Sequence, residues 1–189
     1  MRKPAVTKAI ILAAISIGLI LLDQLTKWVI TAALVYGDSI PVIDGFFSIS
    51  HVLNTGAAWG VLSDHTWLLS VVTFLACMVL IYLLCVSIHK GLMASLVMIL
   101  SGALGNLADR IFRGEVVDFL SFRFGSYNFP SFNIADICIT CGCILLVIIV
   151  VFVAKDGTHL FQSGSIAYKW FGTDEKKKDK DTEREDVSQ

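Results

Sequence analysis

The stretch Leu92–Arg110, LMASLVMILSGALGNLADR, is an apolar run that ends in an Asn and an Asp three residues apart. Working outward, the same local chemistry recurs at Phe132-Asn133-Ile134-Ala135-Asp136, where a second apolar run begins. An ionisable group costs several kcal/mol in hydrocarbon, so a carboxylate at the edge of a membrane span marks a functional site by default. Small residues in the first stretch (Ala94, Ser95, Ser101, Gly102, Ala103, Gly105) let a helix approach its neighbours closely. Steps of three and four residues put Gly102, Asn106, Asp109 and Arg113 on one face of that helix. The same steps put Asn133, Asp136, Thr140 and Cys143 on one face of the next.

The rest of the chain frames these two motifs. Of its 189 residues, 56% are hydrophobic and only 16% charged, where a soluble domain carries about a quarter charged. Mean hydropathy is +0.74. The apolar residues gather in blocks of about 20, the length of a membrane-crossing helix. This predicts one four-helix membrane domain over residues 1–155, with spans near 9–30, 66–88, 92–110 and 134–154. Loops at 31–65 and 111–133 join them on one side, and a charged tail at 156–189 is expected to be disordered. The N-terminal run after Arg2, Lys3 and Lys8 has the outline of a signal peptide, but it continues through Asp23-Gln24-Leu25-Thr26-Lys27 without a small-residue cleavage site. It reads as an uncleaved first span, with Asp23 and Lys27 paired at i,i+4.

A net charge of −1 and the lack of a basic stripe give no reason to expect nucleic acid. Cys77, Cys85, Cys138, Cys141 and Cys143 lie in apolar runs and read as buried small hydrophobes rather than as metal ligands. No metal or cofactor is expected. Ser63 and His65 read as loop residues, not parts of a triad.

In the first loop, Ile40-Pro41-Val42-Ile43, the turn Asp44-Gly45, and the alternation of Phe47, Ile49, His51 and Leu53 predict short strands. Open strands cannot sit in lipid, so this unit belongs on the membrane face. It leads to Asn54-Thr55-Gly56-Ala57-Ala58-Trp59-Gly60. The second loop carries Phe119, Phe122, Phe124, Tyr127 and Phe129, which suit a membrane-interface belt. Pro130-Ser131-Phe132-Asn133 reads as a helix start. With the N-terminus inside, Arg2, Lys3, Lys8, Lys90 and the tail are cytoplasmic, and every acidic residue before Lys155 falls in the outer half. The positive-inside rule therefore places both termini in the cytoplasm and both motifs at the outer face.

Two carboxylates sharing a proton can hydrolyse an amide, one acting as base on water and the other as acid toward the carbonyl oxygen. Asp109 and Asp136 are the pair this reading selects. Helix dipoles favour charge on Asp136, in a first turn, over Asp109, in a last turn. The expectation is an ionised Asp136 and a protonated Asp109.

Five motifs in order, Asp23-x-x-Thr26-Lys27, Asn54-Thr55-Gly56-Ala57-Ala58, Gly105-Asn106-Leu107-Ala108-Asp109-Arg110, Val116-Val117-Asp118-Phe119 and Phe132-Asn133-Ile134-Ala135-Asp136, together resemble the bacterial lipoprotein signal peptidases (signal peptidase II). The resemblance covers residues 8–155, with Trp59 where a Phe is more usual. It implies an all-α integral membrane protein of four transmembrane helices, with a small extracytoplasmic β-cradle and a gating loop, in the bacterial inner membrane. It implies an aspartic endopeptidase that removes signal peptides from diacylglyceryl-modified prolipoproteins, cutting just before the lipidated Cys, with globomycin-type peptides as inhibitors and membrane lipid as surroundings. It implies Asp109 and Asp136 as the catalytic dyad. Asn54, Gly56, Asn106, Arg110, Asp118, Asn133 and Ala135 would shape the pocket, with Asp23 and Lys27 beside it. The competing readings are a proton-coupled transporter using the same two Asp residues as a relay, and a structural membrane protein that uses them in packing.

Overall fold

A computed structural model of the chain describes residues 3–56, 65–153, 160–163 and 165–167. The Ala57-Ala58 half of the second motif, Trp59, Gly60, Ser63 and most of the charged tail, residues 168–189 included, lie outside the described residues. Within the stretch expected to be disordered, Leu160, Phe161 and Ala167 are instead buried against Leu92, Leu96 and Ile149.

Among the described residues, four helices are long and apolar enough to cross a membrane: α1 (Lys3–Ala33), α2 (Thr66–Val86), α3 (Lys90–Phe112) and α4 (Ile134–Ile148), the last prolonged by a π-helical turn at Ile149–Val153. The third is the centre. Its Ser95, Ser101, Gly102, Ala103 and Gly105 are buried with Leu92, Leu96, Leu100 and Leu107, while Ala94 is exposed, and α1, α2 and α4 all pack on it. The outward faces of α1 and α2 carry Ile10, Leu21, Leu25, Phe74, Leu75 and Val79, exposed as a lipid-facing surface would be. Glycines set the closeness of α3 and α4. A Cβ on Gly102 would collide with the carbonyl oxygen of Ala135, and one on Gly142 would lie 2.9 Å from that of Ser95.

Both connections on the site side contribute to a single antiparallel sheet, in the order β1 (Ser39–Ile43), β2 (Phe47–Asn54), β3 (Val116–Phe124), β4 (Tyr127–Asn128). Strands were expected only in the first connection. The second, read from its aromatics as an interface belt, pairs instead with β2: Phe122 stacks on Phe47 at 4.7 Å and on Phe132 at 5.7 Å. Phe47 and Phe122 are directly opposed across β2 and β3, while Phe132 is bridged to Leu120, and pairing satisfies backbone groups that a loose loop would leave open.

The cysteines divide. Cys77 and Cys138 are buried, while Cys85, Cys141 and Cys143 are exposed, because α2 and α4 turn those positions away from α3. All five are free thiols, and no cluster that could hold a metal occurs among the described residues.

Candidate active site

Asn133 caps α4: its side chain accepts from the Asp136 backbone N–H at 3.0 Å, and Asp136 Oδ2 accepts from the Asn133 N–H at 3.1 Å. This reciprocal box contributes about 1 kcal/mol to the helix start and fixes the Asp136 carboxylate. A further first-turn donor, the Ala135 N–H, is taken by Asp23 Oδ1 at 2.9 Å. The residues before the cap are tied to β3, where Phe132 and Leu120 exchange backbone hydrogen bonds. Register does the rest. Val52 faces Asp118 and Asn54 faces Val116, which puts the Asn54 and Asp118 side chains diagonally on one face of the sheet.

The amides then organise the carboxylates. Asp118 Oδ2 accepts from Asn54 Nδ2 at 3.0 Å, and its Oδ1 accepts from Asn133 Nδ2 at 2.7 Å. Asp136 Oδ1 accepts from Asn106 Nδ2 at 2.8 Å. The orientation of the Asn106 amide is not free, because its oxygen accepts from both Lys27 Nζ at 3.0 Å and Asn133 Nδ2 at 3.1 Å. Its NH₂ must therefore face Asp136.

Beside this lies a fully buried charge cluster. Lys27 Nζ is 2.8 Å from Asp23 Oδ2 and 2.7 Å from Asp109 Oδ2, with Lys27 0%, Asp23 1% and Asp109 1% exposed. Gln24, a neighbour that sequence reasoning passed over, reaches Asp23, Asp109 and the Gly105 carbonyl, each at 3.2 Å. A polar residue inside an apolar run, next to Asp23, was the available signal. Arg113 stands 3.6 Å from Asp109 on the more exposed side. The expected i,i+4 pairing of Asp23 with Lys27 is thus present and lies in the protein interior.

A cavity of about 750 Å³ opens against these groups. Asn54, Gly56, Asn106, Arg110, Asp118 and Asp136 form its polar wall, and Phe129, Phe132, Ile137 and Ile139 contribute apolar surface. Arg110 is held there by an Nη2–H bond to the Gly56 carbonyl at 3.2 Å. Asp109 is not on that wall. Asn133, Ala135, Asp23 and Lys27 stand behind it, and Ala135 is buried beneath the α3 contact. The sequence pairing of Asp109 with Asp136 therefore meets a different arrangement: the second carboxylate facing the cavity with Asp136 is Asp118. Repeating the Asn-x-x-Asp pattern could not reveal this. The copy on α3 lies in a last turn, and its Asp pairs with Lys27 on α1, whereas the copy on α4 begins its helix, and its Asp is held by its own cap and by Asn106 at the cavity wall.

Burial pushes the Asp118 carboxyl up from 3.8 to about 6; the hydrogen bond from Asn54 opposes the rise, the charge of Asp136 adds to it, and Asn133 and Lys27 also oppose it. A buried carboxyl with a raised pKa facing a second carboxylate in a cavity is the arrangement that acid–base hydrolysis needs.

Comparison with known proteins agrees with the five-motif resemblance. The sequence pattern of the family described as Signal peptidase (SPase) II matches residues 15–152. The chain is 48% identical over 136 residues to the lipoprotein signal peptidase of Bacillus pumilus, covering 71% of this chain and 88% of that protein. It is 41% identical over 152 residues to that of Symbiobacterium thermophilum, covering 79% and 98%. Among solved structures, a bacterial membrane enzyme determined in meso at 2.3 Å resolution superimposes with a TM-score of 0.72 at 32% identity, over 80% of this chain and 94% of that one. With its four spans, its paired-strand cradle and a family pattern running through every helix, the chain is a multi-pass bacterial membrane protein and belongs to the signal peptidase II family.

Proposed function

We propose that this protein removes signal peptides from diacylglyceryl-modified prolipoproteins by cutting just before the lipidated Cys, and that Asp118 and Asp136 are its catalytic dyad. The observation that carries the assignment is the cavity: Asp118 and Asp136 line it, each held by neutral amide donors, while Asp109 is turned away and ion-paired to Lys27. The dyad holds one proton. The ionised carboxylate takes a proton from water as its oxygen attacks the scissile carbonyl, and the protonated partner donates to the carbonyl oxygen. The tetrahedral diol collapses, a proton passes to the leaving amine, and the carboxylates return to sharing one proton.

Several residues around the cavity support the geometry of this reaction. Asn54 and Asn133 hold Asp118; Asn106 and the Asn133 backbone hold Asp136. Arg110, anchored on Gly56, supplies the cationic wall facing a substrate backbone. β2 and β3 cradle the extended substrate at the membrane face, where lipidated chains arrive. Positive-inside bias puts this end outside the cytoplasm and both termini within it. Globomycin-type cyclic peptides would occupy the same cavity. The transporter reading has no observation in its favour, since the carboxylates gather at one end of the bundle.

The test is cleavage of a reconstituted diacylglyceryl-modified prolipoprotein. Asp118→Asn and Asp136→Asn are each expected to lose roughly 10²- to 10⁴-fold in rate while keeping the wild-type elution profile. Undiminished cleavage by either folded variant would remove that residue from the dyad.

A further inference from the structure

At the end of the bundle opposite the active site lies a second concave surface, a groove of about 510 Å³ where α1 faces α2 over α3. Its walls are mostly hydrocarbon, with Leu12, Ile17 and Ile20 from α1, Leu84 from α2, and Leu100 and Leu104 from α3, interrupted by Ser16 and Cys85. At its mouth are Lys8 and Gln162. The Lys8 ammonium donates to the Ser87 carbonyl at 2.9 Å, which fixes it over the opening and leaves two of its three N–H groups to serve another acceptor. From Lys8 to Ile20 the α1 axis runs about 18 Å at 1.5 Å per residue. That is close to the depth of one leaflet, half of a core of about 30 Å.

We propose that this groove binds one anionic phospholipid of the leaflet at the Lys8 end, with an acyl chain along the wall and the phosphate on Lys8. Three features select that occupant. The groove lies between membrane-spanning helices, where acyl chains are the ambient apolar solvent. Its length matches one chain rather than a helix crossing both leaflets. A cation at the headgroup level is complementary to phosphate, as in other basic pockets between membrane helices. The surface serves lipid attachment and is independent of the cleavage chemistry, so failure of either reading leaves the other standing.

Native mass spectrometry of the full chain, released from bilayers of equal phosphatidylglycerol and phosphatidylcholine, tests it. One retained phosphatidylglycerol per chain is expected, preferred about fivefold, the size of one lysine–headgroup attraction. Lys8→Gln should abolish the preference while keeping a bound lipid of either kind, and Ala13→Trp, on the groove wall, should displace both. Prolipoprotein cleavage by Lys8→Gln reports an intact fold. Retained preference in Lys8→Gln, retained lipid in Ala13→Trp, or a photoactivatable acyl chain that labels other helices but not α1 would overturn the proposal. So would crosslinking of α1 to a second copy with no lipid bound.

Discussion

Lys27 divides its three ammonium protons among Asp23, Asp109 and Asn106, and through these partners it holds α1, α3 and the start of α4 in one register. Burying such charges is costly, and removing one partner leaves the others uncompensated. Asp109→Asn is expected to lower unfolding stability by roughly 3 kcal/mol, read as a loss of thermal stability in detergent; an unchanged melting temperature would show that Asp109 is not the counter-charge described. Asp118 behaves differently. Its folded value, about 6, lies above the ordinary 3.8, so the folded state holds this proton more tightly than the unfolded chain. The stabilisation is complete below the unfolded value and is lost as pH rises through about 6. Relative to Asp118→Asn, the wild type should therefore lose stability between about pH 4 and pH 6 and then run parallel above 7, in paired thermal melts. A difference constant across that window would contradict the buried, proton-holding Asp118. Against the helix-dipole expectation for Asp109 stands the Lys27 ammonium at 2.7 Å, a full charge where a helix end carries about half of one.

At the scale of elements, α3 and α4 lie close because glycine removes the side chains that would hold them apart. Gly102 is the tightest point, with the Ala135 carbonyl oxygen and Ile139 Cγ1 in the path of any Cβ. Backbone cannot step aside as a side-chain tip can, so Gly102→Ala should cost about 1–3 kcal/mol. It should also displace Asp136 from Asn106, reducing cleavage more than a surface substitution such as Gly18→Ala, whose Cβ meets nothing within 4 Å. Equal stability and activity in the two variants would rule out the close approach. The glycine and serine content of residues 92–110 announced that packing. It did not announce that the second connection would become β3 and β4, since its aromatics suit an interface loop and a strand equally. Pairing with β2 settled the matter, and with it the position of Asp118.

At the scale of the molecule, the cavity lined by Asp118 and Asp136 and the sheet occupy one end of the bundle, while Lys8, Ser87 and the Leu160–Phe161 segment pack at the other. The positive-inside bias assigns the sheet end to the outside. A cysteine at Gly125, in the turn between β3 and β4, should react with an impermeant maleimide in intact cells, and one at Gln162 only after lysis. Reversed labelling would invert the orientation.

By itself, the sequence determined the four spans, their small-residue packing faces, the helix start at Asn133 and the family. These follow from apolar length, spacing and local capping, which are properties of contiguous residues. Asp136 was legible for the same reason, being bound to its own cap. Which carboxylate stands opposite it was decided only by tertiary structure. Asp109 and Asp118 are nine positions apart, and local chemistry distinguishes them poorly. The choice depends on Lys27, brought from α1 to neutralise one, and on strand register, which carries Asn54 to the other. Both are long-range contacts, absent from any local pattern.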